Sequence, residues 1–231
     1  MTAAARSGAR FYDNLDDSTR AFHALIDEVP SDAEVLELGC GSAALAFDLD
    51  RFVSVLGVSA DLTDVEQARH EAARRGLGHV RFALMSPEGL RLPDASVDLV
   101  VGVSSLHLLD IARAYAEMAR VLRPGGRILL LEPLGHNPLI NAYRRRTESR
   151  RSPFEHPIRR EELSLATRWF DSVEVQTYHL LDRTAMTAGG GVAGRTLRAA
   201  LRRVDRVLLR PSSPLRWHAW IAVVVLEGPR P

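Results

Sequence analysis

The sequence predicts an α/β fold with a mainly parallel sheet and helices on both of its faces. Short apolar runs alternate with helical segments through the first 133 residues. A loop with two glycines, "GCGS", follows the first apolar run, and a Pro-Gly-Gly turn precedes the fifth. Strands that alternate with helices form parallel sheets with right-handed connections. The loops after the strands are therefore expected at one common edge of the sheet.

The first five predicted strands are apolar runs bounded by turn residues. Such runs favour buried strands of a parallel sheet. The loops that carry function are then expected after residues 38, 58, 85, 103 and 132. The five runs are "AEVLELG", "FVSVLGVS", "HVRFALM", "VDLVVGVSS" and "RILLLEP".

Helical segments are predicted before and between these strands. The segment "RAFHALIDE" has apolar residues at helical spacing, and Pro30 ends it. Another helix is expected to begin near Ser42, at the glycine loop. The segment "DLTDVEQARHEAARRG" has an acidic start, an arginine-rich end and Gly76 just beyond, as the polarity of a helix favours. The last of these helices is "LDIARAYAEMARV", which the Pro-Gly-Gly turn follows.

The pattern changes beyond residue 133. The stretch 134–168 is polar, basic and interrupted by prolines, which predicts a cover over the strand ends. A sixth strand is expected in "FDSVEVQTYHLL", an amphipathic helix in "GRTLRAALRRVDRVLLR" and a last strand in "LRWHAWIAVVVLEG". The glycine-rich stretch 187–194 is predicted to be a flexible connector. The whole chain, 1–231, is predicted to be a single domain.

Composition favours an ordinary globular protein and gives little support to a secreted, membrane-bound or nucleic-acid-binding one. Hydrophobic residues make up 46% and charged residues 26%, and the formal net charge is +1. All 30 basic residues are arginine, and those clustered at 144–151 and 195–210 are interpreted as solvated helix faces. No signal-like segment and one cysteine favour the cytoplasm. We expect neither nucleic-acid nor membrane partners, and the oligomeric state stays open.

The glycine loop allows two interpretations. The residues from Gly39 to Ala44 match the relaxed dinucleotide pattern G-x-G-x-x-G/A. However, Glu37 stands two residues before the first glycine, where a dinucleotide-binding protein usually has an apolar residue. An acid there favours a cationic or hydroxyl-bearing ligand over a pyrophosphate.

Four segments between residues 35 and 133 together resemble the class I S-adenosylmethionine-dependent methyltransferases. They are "VLELGCGSA", "VLGVSADLTDVEQAR", "LRLPDASVDLVVGVSSLHLL" and "EMARVLRPGGRILLLEP". The resemblance implies a Rossmann-like, doubly wound, mostly parallel seven-stranded sheet with an antiparallel last strand. It also implies methyl transfer from S-adenosyl-L-methionine to a small molecule, with S-adenosyl-L-homocysteine as product. Within the domain, 1–30 would be a cap, 31–133 the cofactor-binding half, 134–168 the cover and 169–231 the C-terminal strands and helix.

The resemblance implies roles for residues at matching positions. The two glycines let the backbone approach the cofactor, and the helix after them faces its carboxylate. Glu37 would interact with the amine side of the methionyl group, and the backbone near Ser104 would lie close to that group. Tyr12 is at the place of a lid residue in many relatives. The implied cofactor-binding residues are Tyr12, Glu37, Gly39, Cys40, Gly41, Ser59, Ala60, Asp61, Met85, Ser86 and Ser104.

The sequence departs from the family pattern at two acids. Ser59 stands where an acid usually binds the ribose hydroxyls, and Asp61 follows two residues later. Met85 and Ser86 stand where a second acid usually meets the adenine amino group. Two functions therefore stay open: a methyltransferase with a partly eroded cofactor site, or a protein of this fold that does not methylate. The second class includes a cyclase, another lyase and a non-catalytic partner.

Methyl transfer is an in-line displacement that needs alignment, exclusion of water and, for some acceptors, a base. Histidine suits the base, and three histidines lie on loops at the expected edge: His107, His136 and His156. In the family, a histidine at the place of His107 is common and often structural.

The cover is the expected acceptor-binding region, since it is dense in polar side chains. It resembles a segment that recurs in some bacterial small-molecule methyltransferases. An acidic acceptor is expected to meet its arginines, and the predicted acceptor-binding residues are Tyr12, Asn137, Arg144, Arg145 and Arg150. A metal held by Glu132, His136, Glu155 and His156 is the weaker alternative because of their irregular spacing, so we predict no metal.

Overall fold

The computed structural model describes residues 16–41, 44–138, 141, 156–182 and 191–230. The described part contains one sheet of seven strands with helices around it. The strands are β1 (Glu34–Leu38), β2 (Ser54–Ser59), β3 (Val80–Leu84), β4 (Val97–Val103), β5 (Leu122–Pro133), β6 (Phe170–Tyr178) and β7 (Ile221–Pro229). The α-helices are α1 (Asp16–Asp27), α2 (Leu62–Arg75), α3 (Ile111–Val121), α4 (Arg160–Leu165) and α5 (Val192–Leu208).

The strand order is β3-β2-β1-β4-β5-β7-β6. Strands β1 to β5 pair in parallel, whereas β7 runs antiparallel to both β5 and β6. Because β7 alone is reversed, β6 runs in the same direction as β1 to β5. The carboxyl end of β6 at Tyr178 therefore lies on the same edge as the glycine loop. This order confirms the predicted Rossmann-like sheet with an antiparallel last strand.

The core lies on both faces of the sheet, as a parallel sheet requires. In β5, Leu129 packs in one cluster with Phe22 of α1, and Leu130 packs in the other with Tyr115 of α3. Successive residues of a strand point to opposite faces, so an uninterrupted apolar run needs a cover on each side. The apolar runs of the sequence thus specify helices on both faces.

The ends of α2 confirm the predicted helix polarity. Asp61 is the N-cap, and its carboxylate accepts a hydrogen bond from the Thr63 amide at 2.7 Å. Gly76 ends the helix with a left-handed φ of 71°. None of the described helices combines the length and the apolar character that crossing a membrane requires.

The segment after the glycine loop differs from the prediction. An α-helix was expected from Ser42, which lies outside the described residues, but the following residues form only a short 3-10 helix, Leu45–Asp48. Its first two amides donate to the carboxylate of Glu37, and Ala44 before it is extended with ψ of 133°. The carboxylate of Glu37 therefore accepts from amides that the first turn of a longer helix would leave open to a ligand.

Three other predicted boundaries were wrong. The Pro-Gly-Gly turn lies within β5, which begins at Leu122. The pairing of β5 with β4 shifts in register between Val97 and Leu99 of β4. The predicted connector 187–194 ends early, because α5 already begins at Val192. The start of the predicted last strand, 215–218, belongs to a 3-10 helix, Pro214–His218, instead.

Candidate functional site

The loops after β1 and β4 meet at the carboxyl edge of the sheet. β1 and β4 are neighbours, and the strand order runs outward from this pair in both directions. Ligands of open α/β sheets bind at such a switch point. Gly39 has φ of 76°, and a Cβ added there would lie 3.1 Å from the Cβ of Ser105. Both the conformation and the close approach require glycine.

The glycine loop is fixed to the neighbouring strand. The amides of Gly39 and Cys40 both donate to the carbonyl of Val58 at 2.9 Å. Burial, followed by the charges of Glu37 and Asp64, raises the pKa of the Cys40 thiol to about 12. Cys40 is therefore a neutral, unreactive residue of the loop.

Glu37 lies beneath the loop and is only 4% exposed. Its carboxylate accepts hydrogen bonds from the amides of Leu45 at 2.7 Å and Ala46 at 3.0 Å. Burial raises its pKa to about 7, although these two bonds act in the opposite direction. Glu37 therefore holds its proton more tightly than an exposed glutamate does.

Ser104, directly after β4, has an unusual conformation. Its φ is 51°, a left-handed value that is uncommon for residues other than glycine. Its amide donates to the carbonyl of Leu131 at 2.9 Å. Its hydroxyl is buried and has no hydrogen-bond partner among the described residues. A buried hydroxyl usually has a hydrogen-bond partner.

Glu132, near the end of β5, organises the loop after β4. It is fully buried, and one carboxylate oxygen accepts from the amides of Ser105 at 2.9 Å and Leu106 at 2.7 Å. The other oxygen lies 3.1 Å from Nδ1 of His107. A carboxylate at Nδ1 favours the tautomer with its proton there, which leaves Nε2 as an acceptor. The pair has the geometry of a base and the group that orients it.

A carboxylate of α2, Asp64, lies beside the end of β2 and was not among the predicted site residues. Asp61, one of the predicted cofactor-binding residues, is the N-cap of α2. Asp64, one turn into the helix, has an oxygen 3.5 Å from the Ser59 hydroxyl, and a Cβ on Gly41 would lie 3.7 Å from its carboxyl carbon. Burial and then the charge of Asp61 raise the pKa of Asp64. The sequence feature that could have identified Asp64 is its position three residues after the N-cap residue. This spacing places its side chain on the side of the helix that faces the strand end.

The predicted adenine-side residues follow β3 beside this carboxylate. The amide of Met85 donates to the Ser59 carbonyl at 2.8 Å, and the Ser86 hydroxyl accepts from the Glu88 amide at 3.2 Å. Both side chains are half-buried, whereas Ala60 is exposed. The ends of β2 and β3 thus form one continuous wall with the glycine loop.

Two predicted catalytic histidines face α4. Nε2 of His136 accepts from the Arg160 amide at 3.0 Å, and Nε2 of His156 lies 3.2 Å from a carboxylate oxygen of Glu162. The backbone amide of His156 donates to the His107 carbonyl at 3.3 Å.

The remaining predicted acceptor-side residues are either buried or not described. Asn137 is 4% exposed, and its amide nitrogen donates to the His218 carbonyl at 2.7 Å. The described residues contain no group of three or more potential metal ligands. The other predicted acceptor-side residues lie outside the described part: Tyr12, Arg144, Arg145 and Arg150.

Comparisons with known sequences support a methyltransferase domain. Residues 36–130 match the family model for this domain. The uncharacterized methyltransferase YcgJ of Bacillus subtilis is 34% identical over 107 residues, 46% of this chain and 42% of YcgJ. Aklanonic acid methyltransferase DauC of Streptomyces sp. is 35% identical over 114 residues, 47% of this chain and 52% of DauC. The chain thus spans about half the length of the curated relatives that it matches.

Solved structures share the fold over most of the chain. The crystal structure of YcgJ has a TM-score of 0.60 at 19% identity, covering 91% of this chain and 99% of YcgJ. The [4+2]-cyclase SpnF has a TM-score of 0.60 at 18% identity, covering 92% of this chain and 81% of SpnF. At these identities the likeness shows the fold alone. With the domain match and the sheet order, it supports a class I S-adenosylmethionine-dependent methyltransferase fold that contains a methyltransferase domain over residues 36–130.

Proposed function

We propose that this protein transfers a methyl group from S-adenosylmethionine to a small-molecule acceptor. One observation carries the proposal: the loops after β1 and β4 meet at the switch point, beside the Ser104 hydroxyl that has no described partner. A buried hydroxyl without a partner costs about 1–3 kcal/mol, which a polar ligand group would recover. The methyltransferase relatives support the same ligand.

Named residues would hold each part of the cofactor. The backbone from Gly39 to Gly41 and the Ser104 hydroxyl would bind the methionyl part, with Glu37 on its amine side. The Asp64 carboxylate would accept from the ribose hydroxyls in place of the acid that Ser59 replaces. Met85 would pack against the adenine. When bound, S-adenosylmethionine supplies an electrophilic methyl carbon next to a positive sulfur.

His107 is the proposed base for an acceptor hydroxyl or amine. Glu132 would hold its imidazole in the tautomer that accepts a proton at Nε2. Since Glu132 is fully buried and also accepts two amides, the imidazole has a fixed orientation at the edge. His136 and His156 stay candidates of lower rank, because their Nε2 atoms already have partners on α4.

A second candidate function is a reaction without methyl transfer. Ser59 and Ser86 stand where the family usually has acids, and the fold also occurs in the [4+2]-cyclase SpnF. In that case the edge would bind an acceptor-like substrate without requiring a methyl donor. Binding of the cofactor separates the two functions.

The experiment is calorimetric titration of the protein with S-adenosylmethionine and with S-adenosylhomocysteine. We expect dissociation constants in the micromolar range for both. Replacing Gly39 by alanine should weaken both by about tenfold or more, because the left-handed φ and the 3.1 Å approach to Ser105 oppose a side chain.

Gly78→Ala is the matched control. A Cβ at Gly78 would meet nothing within 4 Å, so this variant should bind like the original protein. Circular dichroism checks that both variants are folded. The absence of binding of either ligand below millimolar concentration would contradict the proposal and favour the reaction without methyl transfer.

A further inference from the structure

Helix α5 carries a continuous apolar stripe on its surface. Ala193, Leu197, Ala200, Val204 and Val207 follow one another at spacings of four, three, four and three residues, and all five are exposed. Leu197 and Val204 are each 45% exposed, and Val207 is 54% exposed. This spacing places the five side chains along one face of the helix.

The apolar face is not the face that attaches α5 to the protein. The two buried residues of the helix are Gly194 and Asp205. The Asp205 carboxylate accepts hydrogen bonds from the amides of Leu180, Leu181 and Asp182, at 2.9 to 3.1 Å. A surface helix usually turns its apolar stripe toward the core. Here the attached face carries the half-buried Leu201 and Leu208 beside these polar bonds, and the stripe faces outward.

The same helix is strongly cationic. It contains five arginines and one acid, and that acid, Asp205, is buried against the chain. Arg203 and Arg206 lie next to the stripe, are exposed, and have no carboxylate partner among the described residues. Just beyond the helix, Leu215 is 43% exposed and the Arg216 guanidinium lies 4.5 Å from the ring centre of Trp217.

A second copy of the chain fits this surface poorly. Pairing two such stripes would bring exposed arginines together without an accessible acid on either helix to compensate them. The helix has 17 residues and is therefore about 26 Å long, so the stripe covers a few hundred Å². A standard interface buries about 800 Å² on each partner.

We propose that α5 docks the protein on an anionic lipid surface, with the stripe inserted at the level of the headgroups. Exposed apolar residues combined with arginines are the two contributions that hold a helix in the plane of a membrane interface. The proposal departs from our expectation that no membrane takes part, which rested on the total charge of +1. That total conceals the uneven charge of α5.

Docking would also bring the functional edge toward the lipid. Asp205, in the last turns of α5, contacts residues 180–182, which directly follow the carboxyl end of β6. That end lies on the same edge as the glycine loop. An amphiphilic acceptor that resides in the bilayer would then reach the site.

The experiment is co-sedimentation of the full chain with vesicles of phosphatidylcholine alone or with 30% phosphatidylglycerol. We expect binding to the anionic vesicles at least tenfold tighter than to the neutral ones, and weaker binding at high salt. The double variant Leu197→Asp, Val204→Asp should lose binding to both kinds of vesicle. The double variant Arg203→Gln, Arg206→Gln should lose the preference for anionic vesicles over neutral ones. Val53→Asp, at a 63% exposed position near the start of β2, is the control that should bind like the original.

Two results would overturn the proposal. One is equal binding of the stripe variant and the original protein to anionic vesicles. The other is no vesicle binding together with a concentration-dependent dimer, seen by analytical ultracentrifugation, that the stripe variant abolishes. The second result would assign the stripe to a contact between copies of the chain. Because every substituted side chain is exposed, unchanged circular dichroism is expected for all variants.

Discussion

Replacing His107 by alanine is expected to lower kcat by about 10²- to 10⁴-fold, the usual contribution of a general base. The affinity for S-adenosylmethionine should stay within about twofold, because the imidazole acts on the acceptor. The measurement is S-adenosylhomocysteine formation with the best acceptor from a panel of phenols, carboxylic acids and amines.

Two variants make this test specific. His70→Ala removes an exposed histidine from α2 and should leave the rate unchanged. Glu132→Gln should lower the rate while cofactor binding persists, because an amide no longer fixes the imidazole tautomer. Nitrogen chemical shifts of His107 report that tautomer directly. Full activity of His107→Ala across the pH range would remove His107 from the mechanism.

Replacing Asp64 by asparagine is expected to weaken S-adenosylhomocysteine binding by about 10- to 100-fold. A hydrogen bond to a charged group contributes about 1.5–3 kcal/mol, and 1.4 kcal/mol corresponds to a factor of ten. Burial raises the pKa of Asp64, so the ionised carboxylate is less favourable in the folded protein than in the unfolded chain. The variant without ligand should therefore be somewhat more stable at neutral pH, while binding of the original weakens as the pH falls through that raised pKa.

Glu66→Gln is the matched control for Asp64→Asn. Glu66 is exposed on the same helix, so this variant should stay folded and bind normally. A cofactor analogue without the 2′-hydroxyl completes the comparison: the original should prefer the ribose form, and Asp64→Asn should lose that preference. Equal losses for both ligands would show that Asp64 does not contact that hydroxyl.

Much of the fold was predictable because a sheet that is covered on both faces needs apolar side chains at neighbouring positions of its strands. The runs that became β1, β4 and β5 each contain two or more apolar residues in succession, which a parallel sheet with two covers requires. The caps of α2, Asp61 and Gly76, were predictable since each satisfies a helix end by itself. The start of β5 was not predictable, because its first residues are in the strand only through their pairing with β4.

The candidate site was predictable only in outline. The glycine spacing identified the loop after β1, and the resemblance indicated Ser104 and His107. The partners of the side chains came from the fold: Glu132 meets His107 from a strand 25 residues away, and Glu37 binds amides that the expected helix would have left open. Asp64 was missed because the sequence gives spacing along a helix but not the neighbouring loop it approaches.

The most direct test of the proposed cofactor site is a crystal structure of the protein with S-adenosylhomocysteine. The adenosyl group should lie between the glycine loop and the wall formed by the ends of β2 and β3. The ribose hydroxyls should lie within hydrogen-bond distance of Asp64, and a polar group of the ligand should meet the Ser104 hydroxyl. A structure in which the protein's own side chains fill that space, or in which the ligand binds elsewhere, would contradict methyl transfer at this edge.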